Sequence, residues 1–168
     1  VRVHIATDHA GLELAQYLIE QLSAAGYQMI DHGPQEYDAQ DDYPGFCINA
    51  AMAVATERAA GQDSLGIVLG GSGNGEQMAA NKVTGIRAAL AWNVSTAQLA
   101  REHNNAQVVA VGGRQHEPAE ALKIIEAFLT AQWSGEIRHA RRIGQIEAYE
   151  TTGKIAGVEL GSKGIAKP

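Results

Sequence analysis

The chain has 168 residues, of which 45% are hydrophobic and only 5% aromatic, with one cysteine and a formal net charge of −6. That length fits one domain whose core is filled by aliphatic residues and alanine. The acidic balance argues against general nucleic-acid or anionic-membrane binding. A lone cysteine excludes an internal disulfide, and no apolar run is long enough to span a bilayer.

Residues 1–7 read as a strand, and Leu12, Ala15, Leu18, Ile19 and Leu22 then recur at helical spacing until Gly26 stops the pattern. Residues 27–31 form a second strand. Residues 33–43 are a polar loop with Pro34 and an acidic run from Asp38 to Asp42. Pro44 suits the first turn of a helix running to about Arg58. Residues 65–69 are an apolar third strand, followed by the turn Gly70-Gly71-Ser72-Gly73-Asn74-Gly75 and a short helix over 75–82. Residues 86–91 are strand four. Ser95 and Gln98 form a capping-box pattern for a helix ending near His103. Residues 107–111 are strand five, Pro118 opens a helix through Leu129, and a last helix covers 135–149.

This β-α alternation predicts an α/β fold: a Rossmann-like, doubly wound, five-stranded parallel sheet with helices on both faces, in three α/β/α layers. Residues 1–150 are read as the single domain and 151–168 as a tail, or an arm on a partner. Cys47 is read as a small buried apolar residue. With no signal-type segment and no cysteine pairs, the expected location is the cytoplasm.

The strand ends carry the candidate chemistry. A strand, a glycine-rich turn and a helix start converge backbone N–H groups on one point, which suits an anion or oxyanion. Gly71-x-Gly73-x-Gly75 follows the third strand, and no acid lies near residue 95, so the dinucleotide fingerprint fails; no Gly-Lys-Ser/Thr follows either. Glu76 stands at that helix start. A carboxylate beside oxyanion donors points to proton abstraction next to a carbonyl, although a helix N-terminus favours an acid for dipole reasons alone. Asp8-His9 can move protons or cap a turn, and His103-Asn104 can supply an acid/base beside an amide donor or simply end a helix. Arg138, Arg141 and Arg142 share one side of a helix, a cationic group suited to phosphate, with Arg114 as a further donor. No zinc-protease motif or calcium loop is present, and no metal is expected.

Asp8-His9-Ala10-Gly11, Asp42-Tyr43-Pro44, Gly71 through Glu76, Ala79-Ala80-Asn81-Lys82, Arg101 through Ala106, Gly112-Gly113-Arg114 and Arg138-His139 follow one another in a characteristic order. Over roughly residues 1–150 the chain thereby resembles the type B ribose-5-phosphate isomerases, a family that includes isomerases of allose, galactose and tetrose phosphates. The resemblance implies a cofactor-free and metal-free homodimer with active sites shared between subunits; a tetramer is the alternative assembly. Asp8, His9, Tyr43, Ser72 and Glu76 come from one chain and His103, Asn104 and Arg114 from the other. Many members carry a catalytic cysteine where this chain has Gly70, so it resembles the branch in which the glutamate is the base.

The reading is an aldose–ketose isomerase acting on ribose 5-phosphate through an enediolate. Glu76 is the base, and His103 with Asp8 opens the sugar ring. Ser72, Asn104 and the N–H groups of Gly71, Gly73, Asn74 and Gly75 hold the oxyanion. His9, Tyr43, Arg114, Arg138 and Arg142 bind the substrate. A tetrose substrate such as erythrulose 4-phosphate, or a hexose such as allose 6-phosphate, is the alternative. A nicotinamide or flavin oxidoreductase and a non-catalytic phosphate-sensing module are the competing classes.

Overall fold

A computed structural model describes residues 1–161. The chain folds as two units, Val1–Ser134 and Gly135–Pro168.

The first unit is built on five strands: β1 (Arg2–Ala6), β2 (Gln28–Asp31), β3 (Ser64–Gly70), β4 (Ala88–Leu90) and β5 (Val108–Gly112). Every pair is parallel and the spatial order is β2-β1-β3-β5-β4. Helices α1 (Leu12–Ala24), α2 (Tyr43–Ala59), α3 (Asn74–Ala80), α4 (Val94–Asn104) and α5 (Pro118–Thr130) connect them. Strand side chains alternate between two cores. Val3, Ile5, Leu65, Ile67, Leu69, Val109 and Val111 pack with α1, α4 and α5. Ala6, Val68, Ala88, Val108 and Ala110 pack with α2 and α3, where Cys47 is fully buried. Both faces are covered, which is why the strands read as unbroken apolar runs. The three-layer α/β/α architecture expected from the sequence is the one observed.

Chain order reverses between β1 and β3. From β1 the chain goes to β2 on one side, and from β3 it goes to β4 and β5 on the other. Loops after the carboxyl ends of β1 and β3 therefore diverge and leave a crevice between them.

Two local readings are corrected. Helix α4 begins at Val94 with Asn93 as its cap, so the box is Asn93–Thr96 rather than Ser95–Gln98. Asn93 Oδ1 accepts from the Thr96 amide at 2.9 Å, and Thr96 Oγ1 accepts from the Asn93 amide at 3.1 Å. Asparagine is a strong cap, and the threonine hydroxyl does here what a glutamine would do. Strand β4 is shorter than read, because the Arg87 N–H turns to Gln107 Oε1 at 2.8 Å. A short 3-10 turn over His9–Gly11, absent from the sequence reading, carries the chain from β1 into α1.

The second unit contains α6 (Ile137–Thr152), which ends at Gly153 with φ 70°, and an antiparallel bridge between Ile155 and Val158. The part of the expected tail beyond residue 161 lies outside the described residues.

Candidate active site

Beyond the carboxyl ends of β1 and β3 lies a cleft of about 550 Å³, lined by Asp8, His9, Tyr43, Gly71, Ser72, Gly75, Glu76 and Arg114, with Ala10 and Gln115. Residues as far apart in sequence as Asp8 and Gln115 meet there because parallel strands end on the same side of the sheet.

Glu76 sits at the cleft floor, with only 4% of its surface exposed. Gly70 points to the same sheet face as α3, and a Cβ on Gly70 would fall inside the Glu76 carboxyl group. The missing side chain at residue 70 is thus the space the carboxylate occupies. Burial raises the Glu76 pKa above its ordinary value; its own backbone N–H opposes the shift, and the Asp8 charge adds to it. Between burial and local N–H donors, burial wins.

The turn that delivers Glu76 depends on glycine twice. Gly73 caps α3 with φ 80°, a left-handed geometry, and a side chain there would also meet Leu90 and the Val111 backbone. A Cβ on Gly75 would collide with the Tyr43 phenol. No side chain caps α3. Ser72 Oγ accepts from the Asn74 side-chain amide at 3.1 Å and, at 3.3 Å, from its backbone N–H. Opposite, the Gly113 N–H donates to Gly70 O at 2.7 Å and the Arg114 N–H to Gly71 O at 3.1 Å. These bonds tie the β5 loop to the turn and hold the Arg114 side chain beside Gly71.

Asp8 is buried and Oδ1 accepts from the Ala10 N–H at 2.9 Å. Asp8 therefore caps the turn while lining the cleft, so the two readings of this residue are compatible. Burial, then the nearby carboxylates of Glu76 and Asp8, pushes the Cys47 thiol up to about 12, which makes it inert as a nucleophile.

The structure brings together Asp8, His9, Tyr43, Gly71, Ser72, Gly75, Glu76 and Arg114 of the sequence-derived set. Arg114, which the resemblance assigned to a neighbouring subunit, lines the cleft of its own chain. Gly73 and Asn74 complete the turn behind the lining. His103 and Asn104 are not among the lining residues; they end α4, where the Arg87 guanidinium donates to Asn104 O at 2.9 Å. Arg138 and Arg142 are exposed on α6 in the second unit, and Arg138 pairs with Glu136 at 2.7 Å.

Two residues were missed. Gln115 follows a predicted strand end and could have been found by that position alone. Asp41 was read only as part of an acidic loop, yet Oδ1 accepts from His9 Nδ1 at 2.6 Å. Asp8, His9 and Asp41 bring one potential metal-ligating atom each within 4.8 Å of one another. A cation bound through that ring nitrogen would have to break the His9–Asp41 bond.

A family model described as Ribose/Galactose Isomerase matches residues 3–146. The chain is 60% identical over 152 residues to ribose-5-phosphate isomerase B of Mycolicibacterium paratuberculosis, covering 90% of this chain and 93% of that one. It is 59% identical to the Mycobacterium tuberculosis protein of the same name, over 90% of this chain and 91% of the relative. Among solved structures, ribose-5-phosphate isomerase B from Mycoplasma genitalium with bound ribulose-5-phosphate superimposes with a TM-score of 0.83 at 40% identity, over 90% of this chain and 97% of that one.

Proposed function

Since the chain belongs to the ribose/galactose isomerase family, we propose that it interconverts ribose 5-phosphate and ribulose 5-phosphate, an aldose–ketose isomerisation carried by Glu76. The observation that carries this is the Glu76 carboxyl group, buried in the place of a residue-70 side chain and facing a turn rich in N–H groups. A carboxyl group whose pKa burial has raised is a stronger base, once ionised, than an exposed one.

The open-chain aldose presents a carbonyl at C1 and a hydrogen on C2. Glu76 takes the C2 proton, and the C–H electron pair forms the C1–C2 double bond of an enediolate. The negative charge gathers on oxygen, where the N–H groups of residues 71–75 and the Ser72 hydroxyl meet it. Glu76 then returns the proton to C1 while a hydroxyl proton passes from O2 to O1. His9 and Arg114, which line the same cleft, hold the phosphate, and binding energy from that non-reacting group orients the reacting carbons.

The rest of the proposed machinery is His103 with Asp8 for ring opening, Asn104 as an oxyanion donor, and Arg138 and Arg142 as phosphate anchors. In the proposal His103 and Asn104 reach the cleft from a second copy of the chain, as a homodimer with shared sites. Exposed Val94 and Leu99 on α4, with Trp92 just before it, support such a pairing, since they give apolar surface to the helix that ends in His103. No described helix is long and apolar enough to cross a membrane; a cytoplasmic location is part of the proposal.

Steady-state kcat/KM on four-, five- and six-carbon aldose and ketose phosphates tests the substrate. Ribose 5-phosphate should lead the panel, and a higher value for a tetrose or hexose phosphate would reassign it. Glu76→Gln should fold and bind substrate while kcat falls about 10²–10⁴-fold; near-normal turnover would remove Glu76 as the base.

A further inference from the structure

We propose that Asp41 is a positioning residue for His9: its carboxylate holds the ring with the proton on Nδ1 and leaves Nε2 as the nitrogen that shares a proton with the substrate phosphate. The proposal rests on the phosphate role given to His9 above.

Three observations carry it. First, one oxygen of Asp41 serves two groups of one residue: Oδ1 accepts from His9 Nδ1 at 2.6 Å and from the His9 backbone N–H at 3.1 Å. Together they fix both the place and the rotation of His9. Because a carboxylate is only an acceptor, the ring nitrogen facing it must carry hydrogen. Second, the Asp41 side chain is only 9% exposed, and Oδ2 is buried with no protein donor. A half-satisfied buried carboxylate is costly, so stability alone does not account for it. Third, His9 lines the same cleft as Arg114 and Ser72, and its ring meets the Tyr37 ring edge-on with centroids 5.9 Å apart. With Nδ1 committed to Asp41, Nε2 is the ring nitrogen left for a ligand.

The link crosses 32 residues. The turn that presents Asp41 is held locally, with the Asp41 N–H on Asp38 O at 3.1 Å and the Gln40 N–H on Asp38 Oδ1 at 2.9 Å. The acidic run is therefore a scaffold that aims one carboxylate at one imidazole.

The experiment compares Asp41→Ala, Asp41→Asn, His9→Ala and the Asp41→Ala/His9→Ala double variant, each checked for folding by circular dichroism. Ring ¹⁵N shifts of His9 should report the Nδ1–H form in the parent, conversion to the Nε2–H form in Asp41→Ala, and partial retention in Asp41→Asn, whose oxygen can still accept. Asp41→Ala should raise KM for ribose 5-phosphate tenfold or more with kcat changed less than threefold, and Asp41→Asn should recover part of the loss. In the His9→Ala background the same substitution should leave KM unchanged. An unaltered His9 tautomer in Asp41→Ala, or an equal KM increase with and without His9, overturns the proposal. A His9→Ala variant with parental KM would instead overturn the phosphate role of His9, while the ¹⁵N readout, which needs no turnover, still decides whether Asp41 sets the ring.

Discussion

Glu76 and Gly70 act as one unit. A side chain at residue 70 and an inward carboxylate at residue 76 compete for one space, so Gly70→Ala should push the carboxyl group out of register. Displacement by about 1 Å can cost about 10²-fold in rate, so kcat should fall by that order with the fold retained; parental kcat would show that the carboxylate has other room. The buried charge also bears on stability. Glu76 ionises at 4.5 in the unfolded chain and at a higher pH in the folded one, so the folded state binds more protons between the two values. Stability contributed by this group is therefore lost as pH rises through that window. Glu76→Gln should melt above the parent at neutral pH, and the difference should close below pH 4.5. Equal melting temperatures across that range would contradict the burial argument.

At the level of elements, the far side of β1 is stitched to its neighbours by a polar chain. His4 Nδ1 and His32 Nε2 share a hydrogen bond of 2.8 Å, and His4 Nε2 lies 3.0 Å from Glu57 Oε2 on α2, which also pairs with Arg2. This anchors the start of the loop that carries Asp41 to His9 and Tyr43 to the cleft; the Thr7 N–H also holds that start by donating to Gly33 O at 3.1 Å. Burial first, then the His4 charge, lowers the His32 pKa from 6.5, against the pull of Asp31 and Glu57. Below 6.5 the unfolded chain takes up a proton that the folded one resists, so this contribution to stability is lost as pH falls through that range. His32→Gln should flatten the decline in melting temperature between about pH 7 and 5. A slope identical to the parent's would mean that acid sensitivity lies elsewhere.

For the whole molecule, the proposed site divides between what one chain gathers and what it does not. Asp8, His9, Ser72, Glu76 and Arg114 share a cleft within the chain, whereas His103 and Asn104 end α4 outside its lining. If sites are shared, mixing Glu76→Gln subunits with His103→Ala subunits should recover activity in the heterodimer, where one site has both residues intact. A verified heterodimer without recovery would count against sharing. If the chain pairs through α4, where Leu99 is 40% exposed, Leu99→Glu should shift the sedimentation profile toward the monomer and lower activity with it, and an unchanged profile would count against pairing through that helix.

The alternation of apolar strands and amphipathic helices, the punctuation by Gly26 and Pro118, and the glycine-rich turn before Glu76 were all legible in the chain, because each is set by local backbone preference and by the pattern of apolar residues. The doubly wound class follows from that alternation alone. The strand order β2-β1-β3-β5-β4 does not, since no local signal says which strands pair. Nor does the sign of the Glu76 shift, which needs the depth of burial and the Asp8 distance, or the tie between Asp41 and His9, which exists only once β1 and the loop after β2 lie side by side. Such features depend on contacts between residues far apart in sequence, and only the folded packing specifies them.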